Sequence, residues 1–281
     1  MRRALALLAL LPLAACGGAG ESRWERVTSP PLTPRVPAAT FSSGPEAFVV
    51  GGDTEPCPPN AGCVLPRTPP LADGAAYDAR TGEWRRIADA PVPFEFADIE
   101  VLGETAYLWI VSDGRPGTST AFLAYRIADD RWDELPLPPS AEDADEVDVD
   151  LVQADGRLVT LTFTDAGDAV PEDVLDPAAE TWAPAPDGLP AVAPYAPQDE
   201  RLEPHEVAGW IGRYTGRSGW ALDEETGEWI EIEPLEEDGE WVDGRAVASA
   251  GRDLLVVGGV RWEGFEPRLL NDAWLWRAPP P

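Results

Sequence analysis

Lysine is missing from the 281-residue chain, so all 21 basic side chains are arginine, set against 51 acids and a single histidine. The formal charge of −30 repels nucleic acid and anionic lipid headgroups and favours metal cations or basic partners. The missing lysine fits a GC-rich codon bias, as do the abundant Ala, Pro and Gly. The acidic surface also fits a salty habitat, where ions screen self-repulsion. One histidine excludes a multi-histidine copper or zinc site and leaves no choice of partner for a Ser-His-Asp triad. No Gly-x-Ser-x-Gly elbow is present. That histidine, His205, lies between Pro204 and Glu206 and reads as a loop residue. Long apolar runs are also absent. Ala4 to Leu13 is too short to span a bilayer as a helix, and nothing later is apolar enough.

Only three cysteines occur: Cys16, Cys57 and Cys63. Cys16 closes Leu13-Ala14-Ala15-Cys16, after a basic Met1-Arg2-Arg3 start and the short apolar stretch. This layout is that of a secretory signal, and its end resembles the bacterial lipobox. The resemblance implies a signal peptide at residues 1–15, lipid (palmitate) on Cys16, a linker over 16–21 and an extracytoplasmic domain over 22–281. The expected location is the cell envelope, with the membrane reached only through the lipid. In that oxidising compartment Cys57 and Cys63, separated by the turn-forming Pro58-Pro59-Asn60-Ala61-Gly62, are expected to form a loop disulfide. No histidine stands near them to build a metal site.

What the chain has in abundance is tryptophan, 12 in all. Trp24, Trp84, Trp132, Trp182 and Trp229 each lead a short strand, at spacings of 60, 48, 50 and 47 residues. The last four follow a hydrophobic residue seven positions earlier: Tyr77, Tyr125, Leu175 and Leu222. Trp24 has no such partner before it. At the other end, Ala273-Trp274-Leu275-Trp276 reads as the strand before a Trp strand, and no Trp strand follows it. Joining the two completes one repeat. One unit is clear: Ala47 to Val50, then Gly51-Gly52, Gly74 to Asp78, the turn Ala79-Arg80-Thr81-Gly82 and Glu83 to Ile87. Leu254 to Gly259 repeats its first half.

The double glycine, the Tyr-Asp and the Trp at fixed offset resemble the kelch repeat, over most of the chain but unevenly. The resemblance implies an all-β, kelch-like β-propeller. Counting Trp strands gives five four-stranded blades, the last closed by the N-terminal strand; six is the alternative, although neither long interval has room for another blade. Closure spares the first and last blades an unpaired edge. The recurrent tryptophans are expected to pack between blades rather than bind sugar.

Strand parity then divides the loops. Turns between strands one and two, and three and four, share one edge and are short. Loops between strands two and three, and between blades, share the other edge and are long and irregular, the usual place for function. Arg261-Trp262-Glu263-Gly264-Phe265-Glu266-Pro267-Arg268 is the preferred binding element there, through Arg261, Trp262, Phe265 and Arg268, with Arg115 on a neighbouring loop. The alternative is a loop folded on itself by local ion pairs. Asp143 to Asp150 could offer oxygens to Ca2+, but the spacing of an EF-hand loop is absent and Asp148/Asp150 alternate like the polar side of a strand; no metal site or cofactor is expected. The expected function is a monomeric binding module for a protein or glycan. The alternatives are a carbohydrate-active enzyme using carboxylates and arginines, and a structural surface protein.

Overall fold

The structure is a computed structural model that describes residues 23–36, 38–57, 68–142, 149–154, 156–163, 169–186, 189, 212–214, 219–223, 228–235 and 242–278. Their regular structure is almost wholly β, with one short α-helix, α1 (Pro139–Glu142), and one 3-10 turn at Ile127–Asp129. The strand β1 (Trp24–Val27) precedes a first sheet of β2 (Ala39–Ser43), β3 (Glu46–Val50), β4 (Gly74–Asp78) and β5 (Glu83–Ile87), paired antiparallel in chain order. A second sheet repeats the order with β6 (Asp98–Leu102), β7 (Thr105–Ile110), β8 (Ala121–Arg126) and β9 (Arg131–Leu135). The third has β10 (Asp150–Ala154), β11 (Arg157–Phe163), β12 (Ala169–Asp176) and β13 (Thr181–Pro184). The fourth has three described strands, β14 (Gly212–Tyr214), β15 (Gly219–Asp223) and β16 (Glu228–Ile232). The fifth holds β17 (Ala246–Ala250) and β18 (Asp253–Val257). A separate hairpin, β19 (Val260–Glu263) and β20 (Glu266–Leu269), follows before the chain returns to the sheet as β21 (Ala273–Trp276).

The expected N-terminal completion is observed. β1 pairs antiparallel with β21, Trp24 opposite Trp276 and Val27 opposite Ala273, and forms the outer strand of the fifth sheet. The seven-residue offset also has a simple meaning. It makes Tyr77 and Trp84, Tyr125 and Trp132, Leu175 and Trp182, and Leu222 and Trp229 direct cross-strand partners. Two residues before Trp84, Trp132 and Trp182 the chain takes a positive φ, at Gly82, Asp130 and Glu180. The same turn therefore recurs even where glycine is replaced. Asp130 accepts the Tyr125 hydroxyl, which steadies the strained residue.

In the first and second sheets both faces of the middle strands are buried, so the pattern there is a continuous apolar run rather than an alternation. Phe48 and Val50 pack toward the second sheet with Leu108, Leu123 and Tyr125, whereas Ala47 and Val49 pack toward the fifth with Leu255 and Leu275. The second sheet divides its middle strands in the same way. Tyr107, Phe122 and Ala124 face the third sheet and pack with Leu151, Leu158 and Leu175.

The tryptophans tie sheets to one another. The Trp132 indole N–H donates to the Ala88 carbonyl, which directly follows the outer strand of the first sheet, at 2.8 Å. Trp182 donates to Pro136, just past the outer strand of the second sheet, at 2.9 Å. Trp84 reaches Thr28, just past β1, at 2.7 Å, and Trp24 reaches Glu233, just past β16, at 2.8 Å. The indole ring is half-buried between sheets while its N–H finds the partner that burial demands. This one contact joins fourth to fifth, fifth to first, first to second and second to third sheet. The Trp229 side chain lies outside the described residues.

The inner strands run parallel. Thr40 and Ser42 of β2 donate to the carbonyls of Val247 and Ser249 in β17, at 2.7 and 2.8 Å, advancing together along both strands. The Leu151 and Gln153 N–H groups of β10 likewise donate to Asp98 and Glu100 of β6. Parallel inner strands put all the one-to-two turns at one edge and the long loops at the other. The double glycine marks the loop edge. At Gly51, with φ +67, a side chain would meet the Phe94 carbonyl at 2.7 Å, so only glycine lets the connection to the second sheet press this close.

Candidate functional site

On the loop edge, β19 and β20 turn the expected loop element into a two-stranded hairpin. Arg261 stands opposite Arg268, Trp262 opposite Pro267 and Glu263 opposite Glu266. Alternation puts the four charged residues on one face and Val260, Trp262, Pro267 and Leu269 on the other. Placing like charges opposite one another costs stability rather than adding it. Phe265, at the tip, is 81% exposed. The hairpin thus brings Arg261 and Arg268 together on one face, with Trp262 on the other and Phe265 at the tip, and is joined to the body through Asp243, which exchanges both backbone hydrogen bonds with Val260.

Arg115 belongs to a different cluster. Its side chain is only 1% exposed and is held by three carboxylates: Asp53, Glu95 at 2.6 Å and Asp113 at 2.5 Å. Asp53 follows the double glycine of the first sheet, Glu95 lies on the connection between sheets, and Asp113 follows β7. Arg115 therefore clamps three segments of the loop edge. The planar guanidinium suits this, because its N–H groups point in fixed and separate directions. Burial works to raise the Asp113 carboxyl, but the Arg115 amide, its guanidinium and Thr118 outweigh it and hold it below the usual range. Glu95 is raised by burial, with Arg115 opposing. Two other arginines brace the glycine pairs. Arg35 donates to the Gly51 carbonyl and pairs with Asp73 at 2.8 Å; Arg245 donates to Gly258 and lies 3.5 Å from Asp272.

Charge of another kind gathers between the inner strands. Glu100 is pushed up to about 7 by burial, with the Gln153 N–H opposing and Asp98 adding to the rise. Asp98 is pushed up to about 6 by burial and then by Asp150, against the Leu151 N–H. A carboxyl raised on folding costs stability as pH climbs through its unfolded value near 4.3, and the cost is complete above the folded value. Glu100→Gln is therefore expected to match the parent near pH 4 and to gain about 2–3 kcal/mol near pH 8, roughly 5–10 °C in Tm. Calorimetry at the two pH values checks this; an equal Tm at both would show that Glu100 carries no folding cost.

Asp98 and Glu100 were legible only as a polar–apolar alternation, Asp98-Ile99-Glu100-Val101, which nothing in the repeat flags. Cys16 and Cys63, the latter one end of the expected pairing with Cys57, lie outside the described residues, as do the loop residue His205 and the acidic stretch Asp143 to Asp148. Among the described residues no group of three or more His, Cys, Asp and Glu is placed to hold a metal ion. No described helix is long and apolar enough to cross a membrane. No protein-family model matches the chain, and no curated protein matches it in sequence.

Proposed function

We propose that the chain is an envelope lipoprotein whose kelch-like domain is a closed five-bladed propeller that docks a protein partner on its loop edge. Closure is supported by the indole contacts, which step through four of the joints a five-sheet ring requires. The observation that carries the functional reading is the placement of exposed apolar side chains. Among the described residues the large ones are Phe96, Val111, Phe163, Val170 and Phe265. All five sit on loops or strand ends of the loop edge. Phe265, Phe96 and Val111 are 81%, 66% and 60% exposed, which water tolerates poorly in a group but a protein interface uses.

The polarity of the anchor fits the same reading. β1 starts at the short-turn edge, so a lipid on Cys16 would hold that edge toward the membrane and present the loop edge outward. The acidic body and the Arg261/Arg268 face of the hairpin add charge selectivity around the apolar residues. A carbohydrate-active enzyme would call for arginines converging with carboxylates in an open site, whereas Arg35, Arg115 and Arg245 are engaged in holding the loops.

Photo-crosslinking in the native envelope tests the proposal. A benzophenone side chain at 96, 111 or 265 is expected to give one shared protein adduct, and the same probe at Arg80 or Arg131 on the short-turn edge none. Phe265→Asp is expected to weaken the identified complex by at least about tenfold without lowering Tm, as for an exposed interface anchor. Adducts only with glycan, or equal labelling of both edges, would overturn the protein-docking reading.

A further inference from the structure

Between the inner strands lies a cavity of about 420 Å³ at the end nearest Gly44 and Gly251, away from the loop edge. That is large enough for a small molecule. Its polar side chains are Thr40, Ser42, Glu100, Gln153 and Ser249; Phe41, Ile99 and Val101 supply apolar wall. The polar wall is biased toward acceptors. Thr40 and Ser42 spend their hydroxyl protons on the Val247 and Ser249 carbonyls, at 2.7 and 2.8 Å, so their oxygens can only accept further bonds. Glu100 adds a carboxylate, and none of the described lining residues is cationic.

We propose that this cavity binds a small organic molecule through a primary ammonium group, which donates to Glu100 and to the Thr40 and Ser42 hydroxyl oxygens. A primary ammonium has three donors and no acceptor, which matches such a wall. A quaternary ammonium has no N–H to give, and a neutral polyol, which also needs donors, would find them only at Gln153 and Ser249 and would not use the Glu100 charge. A bare metal ion would need more oxygen ligands than the described residues group together. The groups that face Glu100 agree. Asp98 on β6 is acidic and itself faces Asp150 on β10, β10 turns the Gln153 N–H to Glu100, and β2 and β17 contribute Thr40, Ser42, Val247 and Ser249, none of which titrates in the working range. Burial holds Glu100 at about 7, and a bound cation would draw it back toward the ordinary range.

Isothermal titration of the full-length protein with putrescine tests this. With Glu100 titrating at about 7, affinity is expected to rise about tenfold between pH 6 and pH 8. Near pH 7, binding should release about half a proton, read from buffers of different ionisation enthalpy. Choline should bind at least tenfold more weakly than putrescine, and calcium chloride should not displace it. Glu100→Gln should weaken binding at least tenfold and remove most of its pH dependence, leaving only the smaller contribution of Asp98. Thr40→Val provides a second, uncharged lesion, and proton release on the unmodified protein needs no variant. Failure of putrescine to bind near pH 8, binding without proton release, or choline binding as tightly as putrescine overturns the proposal.

Discussion

Deleting Arg23–Val27 is expected to yield a protein that aggregates or melts at least 10–20 °C lower than the parent, the equivalent of roughly 5 kcal/mol. The segment contributes far more than one strand of ladder bonds. Trp24 packs against the cluster of Ile232, Leu254 and Trp276 and donates to the Glu233 carbonyl. The Arg23 amide donates to Glu233 Oε1 at 2.6 Å, and Trp276 Nε1 to Glu233 Oε2 at 2.8 Å, so Glu233 bridges fourth and fifth sheets through β1. On the other side Trp84 of the first sheet donates to Thr28. Removing β1 therefore loosens both joints of the fifth sheet. It also bares Ala273-Trp274-Leu275-Trp276, an apolar strand with an open edge, which is a template for association. A rescue separates lost pairing from general damage. The Arg277 amide already donates to the Arg23 carbonyl at 2.9 Å, so a second copy of Arg23–Val27 placed after Arg277 through a tight Asn-Gly turn should re-form the strand in register. Scanning calorimetry and gel filtration of the parent, deletion and rescued chains read the result. A deletion chain with unchanged Tm would sink the role assigned to β1.

The legible part of this fold is the part where one residue type recurs for one physical reason. A bulky aromatic is needed wherever an outer strand closes over its neighbour, and a seven-residue offset follows from the tight turn between them; Tyr77 opposite Trp84 is the pattern in its plainest form. The same logic exposed Trp24 as a strand without a preceding partner and Trp276 as its complement. Residues whose role depends on a distant segment left no such trace. Glu233 reads as the start of an acidic loop, yet its carboxylate and carbonyl serve three donors from β1 and β21. Glu100 is one acid among 51, and only the approach of β10 and the burial it brings single it out. The Arg261–Arg268 element was legible as an irregular segment of the loop edge by composition, but its paired strands depend on Asp243 anchoring Val260, which composition does not encode.

Arg115→Ala is expected to cost about 3–5 kcal/mol near pH 7, because it leaves buried carboxylates without their cation. Asp53 is 3% exposed, and Glu95 and Asp113 converge on the same guanidinium. The pH dependence has a definite sign. In the parent, burial would raise Asp113, but Arg115 and Thr118 hold it low, so it contributes stability above the unfolded value near 3.9 that is lost as pH falls through the folded one. In the variant the remaining carboxylates repel one another in a poorly hydrated site and titrate higher. Each then costs stability as pH rises through the unfolded value. The gap between parent and variant should thus be widest at and above neutral pH and should narrow toward about pH 4. Arg115→Lys should recover only part of the loss, since a single ammonium cannot span three carboxylates as a guanidinium fork does. Urea titrations of the three proteins at several pH values supply the test; a gap that stays constant with pH would mean that lost packing, not charge, is the cause. The same substitution bears on docking. Glu95 precedes Phe96, and Asp113 follows Val111 by two residues. Releasing the clamp should loosen both exposed side chains and weaken crosslinking at 96 and 111, while Phe265, on its own hairpin, keeps its adduct.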